Sequence, residues 1–144
     1  MRIRTIIVDD QLLARESLRR KLEHEPDIDV IGMAASGKEA VDLINGLQPD
    51  LVFLDVKMAD IDGFAVVKQL RCRRQPAIIF VTSNEEYALK AFDINAVDYL
   101  IKPCDASRLK TAVHRARDLL QRGFLPIPNS PQMPDHLRRG SRHS

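Results

Sequence analysis

Disulfides are the first thing the sequence cannot build on. It carries only two cysteines, Cys72 and Cys104, and neither stands in a Cys-x-x-Cys or Cys/His spacing that would hold zinc. Both are expected as free thiols. No apolar stretch approaches the roughly 20 residues of a membrane span. The start, Met1-Arg2-Ile3-Arg4, lacks the length and small-residue cleavage site of a secretory signal. A cytoplasmic location with no membrane partner is the expectation. Also missing are a Gly-rich phosphate loop and any Ser-His-Asp or Cys-His arrangement. The histidines, His24, His114, His136 and His143, fall on expected helices or in the last segment and are read as surface residues. Charge of one sign is lacking as well: residues 1–122 hold 19 Lys+Arg and 19 Asp+Glu, and the formal charge of +2 comes from three Arg and one Asp beyond them. The main part therefore carries no electrostatic footprint for nucleic acid. What is present is a 44% hydrophobic content over 144 residues, enough for one domain with a proper core.

Apolar runs and helical spacing alternate along that core. Ile3 to Val8 is a β-branched run that stops at Asp9-Asp10. From Gln11, Ala14, Leu18 and Leu22 share one helix face, with the helix ending near Glu25-Pro26. Ile28 to Ala34, interleaved with acids, suits a sheet edge. Ala40, Leu43, Ile44 and Leu47 mark a second helix. Leu51 to Leu54, entered through Gln48-Pro49-Asp50, is too short for a buried helix and reads as a strand buried on both faces, with Asp55 at its carboxyl end. Phe64, Val67 and Leu70 mark a third helix running into Arg71, Arg73 and Arg74, cations that would complement its dipole. Ala77 to Val81 is a fourth strand ending in Thr82-Ser83. Tyr87, Ala88, Ala91 and Phe92 suggest a short helix, and Val97 to Ile101 a fifth strand leading into Lys102-Pro103. Leu109, Ala112, Val113, Ala116, Leu119 and Leu120 form the inner face of a last helix. Such alternation predicts an α/β domain, a doubly wound parallel sheet with helices on both faces, over residues 1–122. Residues 123–144 are Pro-rich, without apolar periodicity, and read as a linker or tail.

Parallel strands bring their carboxyl ends to one edge, where an open α/β sheet binds ligands. Asp9, Asp10, Asp55, Thr82 and Lys102 would meet there. Acids crowded in one crevice call for a cation, and all-oxygen ligation with water favours a hard ion such as Mg²⁺. A flexible ammonium and a hydroxyl beside it could neutralise and orient the oxygens of a phosphoryl group.

Asp9-Asp10 after the first strand, Asp55 after the third, Thr82 after the fourth and Asp98-Tyr99-Leu100-Ile101-Lys102-Pro103 at the fifth resemble the receiver domain of two-component response regulators. The resemblance covers residues 3 to about 121. It implies a flavodoxin-like sheet of order 2-1-3-4-5, with Asp55 as the phosphoacceptor served by a sensor histidine kinase. It further implies that Asp10, Asp55 and the Lys57 backbone carbonyl hold Mg²⁺, with Asp9 acting largely through water. Thr82, Ser83 and Lys102 would hold the phosphoryl oxygens, Tyr99 would switch with Thr82, and Lys102-Pro103 would be a cis peptide. The changed surface would be the fourth helix, fifth strand and fifth helix, through which such regulators homodimerise. The protein would modify only itself, so it is not expected to be an enzyme in the ordinary sense.

The chain departs from the family pattern at Met58-Ala59, where Met-Pro is common, and at Cys104, where an apolar residue is usual; Cys104 is read as a small buried hydrophobe. The side chains of Lys57 and Asn84 would flank the approach of water to an acyl phosphate and so tune its lifetime. Two other readings stand beside this one. A haloacid-dehalogenase-type phosphohydrolase needs a second acid where Lys57 stands, and a pseudo-receiver would keep the fold without phosphorylation. The stretch Asn84 to Phe92 with Asn95 to Tyr99 is similar to receivers of LytTR-type DNA-binding regulators. By that likeness the chain would be the receiver part of a longer transcription regulator, meeting DNA only through a C-terminal effector domain not present in it; the other reading is a stand-alone receiver with a disordered tail.

Overall fold

The computed structural model describes residues 2–123. In chain order it runs β1 (Ile3–Val8), α1 (Leu12–Leu22), β2 (Ile28–Ala34), α2 (Gly37–Leu47), β3 (Leu51–Leu54), α3 (Gly63–Lys68), β4 (Ala77–Thr82), a 3-10 turn (Glu85–Tyr87), α4 (Ala88–Asp93), β5 (Asp98–Ile101) and α5 (Ala106–Gln121). The five strands pair in the order β2-β1-β3-β4-β5, and every pair is parallel. This is the flavodoxin-like sheet expected from the alternation of elements. The acid-interleaved β2 does lie at an edge.

The strand sequences explain the layering. Successive side chains point to opposite faces, so a central strand must be apolar throughout, and all of Leu51, Val52, Phe53 and Leu54 are buried. Ile7, Leu51, Phe53 and Ile79 face Leu22 of α1 and the Leu109, Ala112, Val113, Ala116 and Leu120 row of α5. Ile6, Val52, Leu54, Ile78 and Phe80 face Ala40 and Ile44 of α2, Phe64 and Val66 of α3, and Ala91 of α4. Fully burying side chains such as Phe53 or Phe80 contributes about 2 kcal/mol each. The connections place helices on both faces of the sheet, α1 and α5 on one and α2, α3 and α4 on the other.

Two helix ends show how polar side chains finish the frame. Ser36 caps α2, its hydroxyl accepting the Glu39 N–H at 3.1 Å. At the far end of that helix the Arg4 guanidinium donates to the Leu47 and Gln48 carbonyls at 2.8 and 2.7 Å, partnering groups that have no acceptor role inside the helix.

Helix α3 is shorter than its spacing suggests. It stops at Lys68 with Gln69 as its cap, so Arg71, Arg73 and Arg74 lie in the following loop and do not complement a helix dipole. Leu70 still packs on the core beside Val67. The apolar period thus outlasts the helix. The loop is held by α2 instead: Asn45 Oδ1 accepts the Arg71 N–H at 2.6 Å and Gln48 Oε1 the Arg73 N–H at 3.0 Å. Two smaller differences are that α1 ends at Leu22, short of Glu25, and that Tyr87 sits in the 3-10 turn before α4. No helix among the described residues is long and apolar enough to cross a membrane.

Candidate functional site

Register brings the acids together. Val8 of β1 pairs with Leu54 of β3, so the residues that follow, Asp9 and Asp55, emerge side by side. The Asp55 N–H donates to the Val8 carbonyl at 3.0 Å, and the Asp9 N–H to the Ala34 carbonyl at 3.1 Å. Asp9 and Asp55 are buried, whereas Asp10 is exposed. One carboxylate oxygen from each of Asp9, Asp10 and Asp55 lies within 4.8 Å of the others. An all-carboxylate set of that size matches the donor preference of a hard divalent cation.

Lys102 arrives from β5. Its N–H donates to the Thr82 carbonyl at 2.8 Å, and its ammonium lies 2.6 Å from Asp9 Oδ2 and 3.3 Å from Asp55 Oδ2. One cation therefore serves two buried carboxylates. Burial, and then the Asp9 charge, push the Asp55 carboxyl up to about 6, against the pull of Lys102 and of the Lys57 amide facing it. Burial disfavours the Lys102 ammonium, yet the Asp9 hydrogen bond and the charges of Asp55 and Asp9 hold its pKa above the usual value. Asp55 is thus mostly ionised at neutral pH and poorly solvated, a combination suited to a nucleophile. Asp9 is kept in place by the Gln11 N–H, which donates to its Oδ1 at 2.9 Å.

The remaining expected residues surround this centre. The Thr82 hydroxyl, at the end of β4, is fully buried and has no hydrogen-bond partner. An orphan of that kind costs about 1–3 kcal/mol and marks a group held for something other than folding. Ser83 is exposed, and Lys102–Pro103 is a cis peptide. A cavity of about 570 Å³ opens beside the acids and is lined by Asp9, Asp10, Asp55, Lys57, Ser83 and Lys102, with Phe53, Leu18 and Leu109 along its apolar wall. The Lys57 side chain is exposed at its mouth. Tyr99 is buried, its ring is part of the α2–α4 side core, and its hydroxyl donates to the Asn84 carbonyl. Burial lifts that phenol to about 12. Asn84 therefore contributes its backbone to Tyr99.

Cys104 is half-buried, packs against the α1–α5 side core and lines the cavity. Burial raises its pKa, which keeps it a thiol and agrees with the reading as a small hydrophobe. Cys72 and Cys104 are both free. His24 and His114 are exposed; His136, His143 and the Pro-rich segment from residue 124 onward lie outside the described residues.

Sequence reasoning missed two supports. Lys21 of α1 donates from Nζ to the Cys104 carbonyl at 2.8 Å, tying α1 to the segment just after Pro103. Asp98, at the start of β5, is fully buried and accepts from Arg108 at 2.6 and 2.9 Å and from Arg115 at 3.2 Å. The spacing of Arg108 and Arg115 on one face of α5 was the available signal for the second.

Comparison with known proteins agrees with this geometry. The family model for the response regulator receiver domain matches residues 5–114. The transcriptional regulatory protein BtsR of Salmonella typhi is 44% identical over 115 residues, covering 80% of this chain and 48% of its own length. An uncharacterized response regulatory protein of Yersinia pestis is 44% identical over 124 residues, covering 85% of this chain and 52% of its own. The chain spans about half the length of these curated relatives. Among solved structures, the response regulatory domain of protein mrkE from Klebsiella pneumoniae superposes with a TM-score of 0.76 at 25% identity, covering 83% of this chain and 99% of that one. The REC domain of AraT from Geobacillus stearothermophilus gives 0.73 at 29% identity, covering 85% and 99%.

Proposed function

Because the chain belongs to the response regulator receiver domain family, we propose that it accepts a phosphoryl group on Asp55 from a sensor histidine kinase, with Mg²⁺ in the site, and relays the change to an output such as transcription. The observation that carries this reading is the convergence of Asp9, Asp10 and Asp55 within 4.8 Å, with the Lys102 ammonium set against two of them.

In the transfer an Asp55 carboxylate oxygen forms the new P–O bond as the P–N bond of the phosphorylated imidazole breaks, and the imidazole leaves with a proton. An anion is approaching an anion, so charge must be in place before in-line geometry is reachable. Asp10, Asp55 and the Lys57 carbonyl would hold the Mg²⁺, with Asp9 acting largely through water; the ion supplies neutralisation of the phosphoryl oxygens. Lys102 then has a second anion to serve and turns from Asp9 toward the phosphoryl group, while the unpartnered Thr82 hydroxyl gains an acceptor. Ser83 offers a further donor at the cavity. Tyr99 and Thr82 stand on neighbouring strands and would act as the bistable pair that remodels the surface of α4, β5 and α5 for homodimerisation. The chain would act in the cytoplasm as a self-modifying switch, with slow loss of its own phosphoryl group in place of turnover of a separate substrate.

The relatives named as transcriptional regulators support a gene-control output, and the similarity of Asn84 to Tyr99 to LytTR-type receivers narrows it. DNA would be met by a separate effector domain. Incubation with a small phosphoryl donor and Mg²⁺ followed by intact mass tests the central claim. The wild type is expected to gain one phosphoryl group and Asp55→Asn none; mass gain by the Asn variant, or none by the wild type, overturns the assignment.

A further inference from the structure

The loop joining β3 to α3, residues 57–62, borders the cavity and yet is held at three points. At its base the Gly63 N–H donates to the Val56 carbonyl at 2.8 Å. At its helix end Asp62 accepts the Ala65 N–H at 2.8 Å. At its tip the two oxygens of Asp60 divide between two amides of a different helix: Oδ1 accepts from Gly37 at 2.9 Å and Oδ2 from Lys38 at 2.8 Å. Those amides belong to the first turn of α2 and have no acceptor within the helix.

The fit around this contact is close. A Cβ at Gly37 would stand 2.3 Å from Ile61 Cγ1 and 2.8 Å from the Ile61 carbonyl oxygen, so only glycine lets the loop approach. At Gly63 a Cβ would stand 2.5 Å from the Asp55 carbonyl oxygen, which fixes the other end of the loop directly on the reacting residue. The amides of Lys38, Gly37 and Ile61 hold the Asp60 carboxyl down at about 2, so the contact stays ionised through the neutral range. Helix α2 also has a cap of its own, since Ser36 serves the Glu39 amide.

We propose that Asp60 is a positioning residue for phosphoryl transfer: its bidentate grip on the Gly37 and Lys38 amides clasps the β3–α3 loop to α2 and thereby fixes the Lys57 backbone beside Asp55. The proposal rests on the phosphoacceptor reading above. Lys57 lies between the pinned base at Val56 and the pinned tip at Asp60, with its amide facing the Asp55 carboxylate. Where the sequence places Ala59 the backbone has no ring to restrict it. The clasp supplies that restriction through a side chain.

The test pairs two substitutions at the same helix end. Asp60→Ala removes the clasp, whereas Ser36→Ala removes a helix cap without touching the loop. Mg²⁺ affinity by titration calorimetry and phosphoryl uptake from a small donor by intact mass are expected to fall about fivefold in Asp60→Ala, a fraction of what the two charge-assisted hydrogen bonds contribute, because only their effect on the Lys57 backbone reaches the site. Ser36→Ala should stay within about twofold of wild type in both. Asp60→Asn, whose amide oxygen can accept one of the two bonds, should recover part of the loss. Amide exchange across residues 56–62 should quicken in Asp60→Ala and not in Ser36→Ala. Wild-type Mg²⁺ affinity in Asp60→Ala, or an equal loss in Ser36→Ala, overturns the proposal and leaves Asp60 a helix cap only. A wild type that neither binds Mg²⁺ nor gains phosphoryl mass sinks the phosphoacceptor reading instead, and unchanged loop exchange in Asp60→Ala then rejects the clasp on its own terms.

Discussion

Asp55 and Asp98 are both carboxylates taken almost wholly out of water, at 4% and 0% exposure, and the fold treats them in opposite ways. Asp98 meets two arginines, one of them through a two-bonded fork, and also accepts the Tyr99 N–H at 2.8 Å. Its negative charge is more than matched. Asp55 has half an ammonium, because Lys102 sits closer to Asp9 than to it. Desolvation is similar in the two places, so the difference lies in the number of cations per carboxylate. Where that ratio exceeds one, a buried acid is a girder. Where it falls below one, the site holds unbalanced negative charge that a metal ion can relieve.

The comparison is broken most severely at Asp98. Asp98→Ala removes the buried carboxylate on which Arg108 and Arg115 converge, and breaking a buried pair costs up to about 3–5 kcal/mol, less where the arginines reach solvent. Chemical denaturation should show a loss of that order at neutral pH. An unchanged midpoint would mean the pair is not a structural element.

At Asp55 the sign reverses. A carboxyl whose folded pKa is raised from 3.8 to about 6 contributes stability that is complete below the unfolded value and is lost as pH rises through the folded one. In metal-free buffer Asp55→Asn should therefore match the wild type near pH 3.5 and exceed it above pH 6, by up to ~3 kcal/mol. Adding Mg²⁺ should narrow the gap, since the ion binds the folded wild type. A variant less stable than wild type at pH 7 without metal would contradict the picture of an under-neutralised site.

The smallest effect is expected at the cavity mouth. Lys57 is exposed there, and a long cationic side chain can lie across phosphoryl oxygens while its stem crowds an incoming water. Loss of phosphoryl mass with time should be several-fold faster in Lys57→Ala than in wild type. Equal half-lives would assign Lys57 a backbone role alone.

Much of this was legible because strands buried on both faces must spell out apolar runs. Ile3 to Val8, Leu51 to Leu54 and Ala77 to Val81 did so, and the polar residues just past them, Asp9, Asp55 and Thr82, lie together at one edge. Lys102 could be placed for the same reason. The sequence was silent where a side chain acts on a distant backbone. Nothing in Asp60 as a loop acid announces the Gly37 and Lys38 amides, and nothing in Arg4 announces the end of α2. The length of α3 was misjudged because Leu70 keeps the helical period while its backbone has already turned. Asp98 reads as one more polar residue beside a strand until the helix carrying Arg108 and Arg115 is laid over it.

That last helix has a consequence in time as well as in space. The inner row of α5 closes the face of the sheet that β1 and β3 leave open, and Arg117 reaches back to Asp27 at 2.5 Å and Glu25 at 3.0 Å across 90 and 92 residues of chain. During synthesis the first strand emerges long before the element that covers one of its sides. Until α5 follows, Ile3, Ile7 and Phe53 are covered by α1 alone, and the half-made domain presents part of a sticky apolar sheet to its surroundings. The domain thus becomes a finished body only when its last helix has been made, and the acidic edge of the sheet is set in place with it.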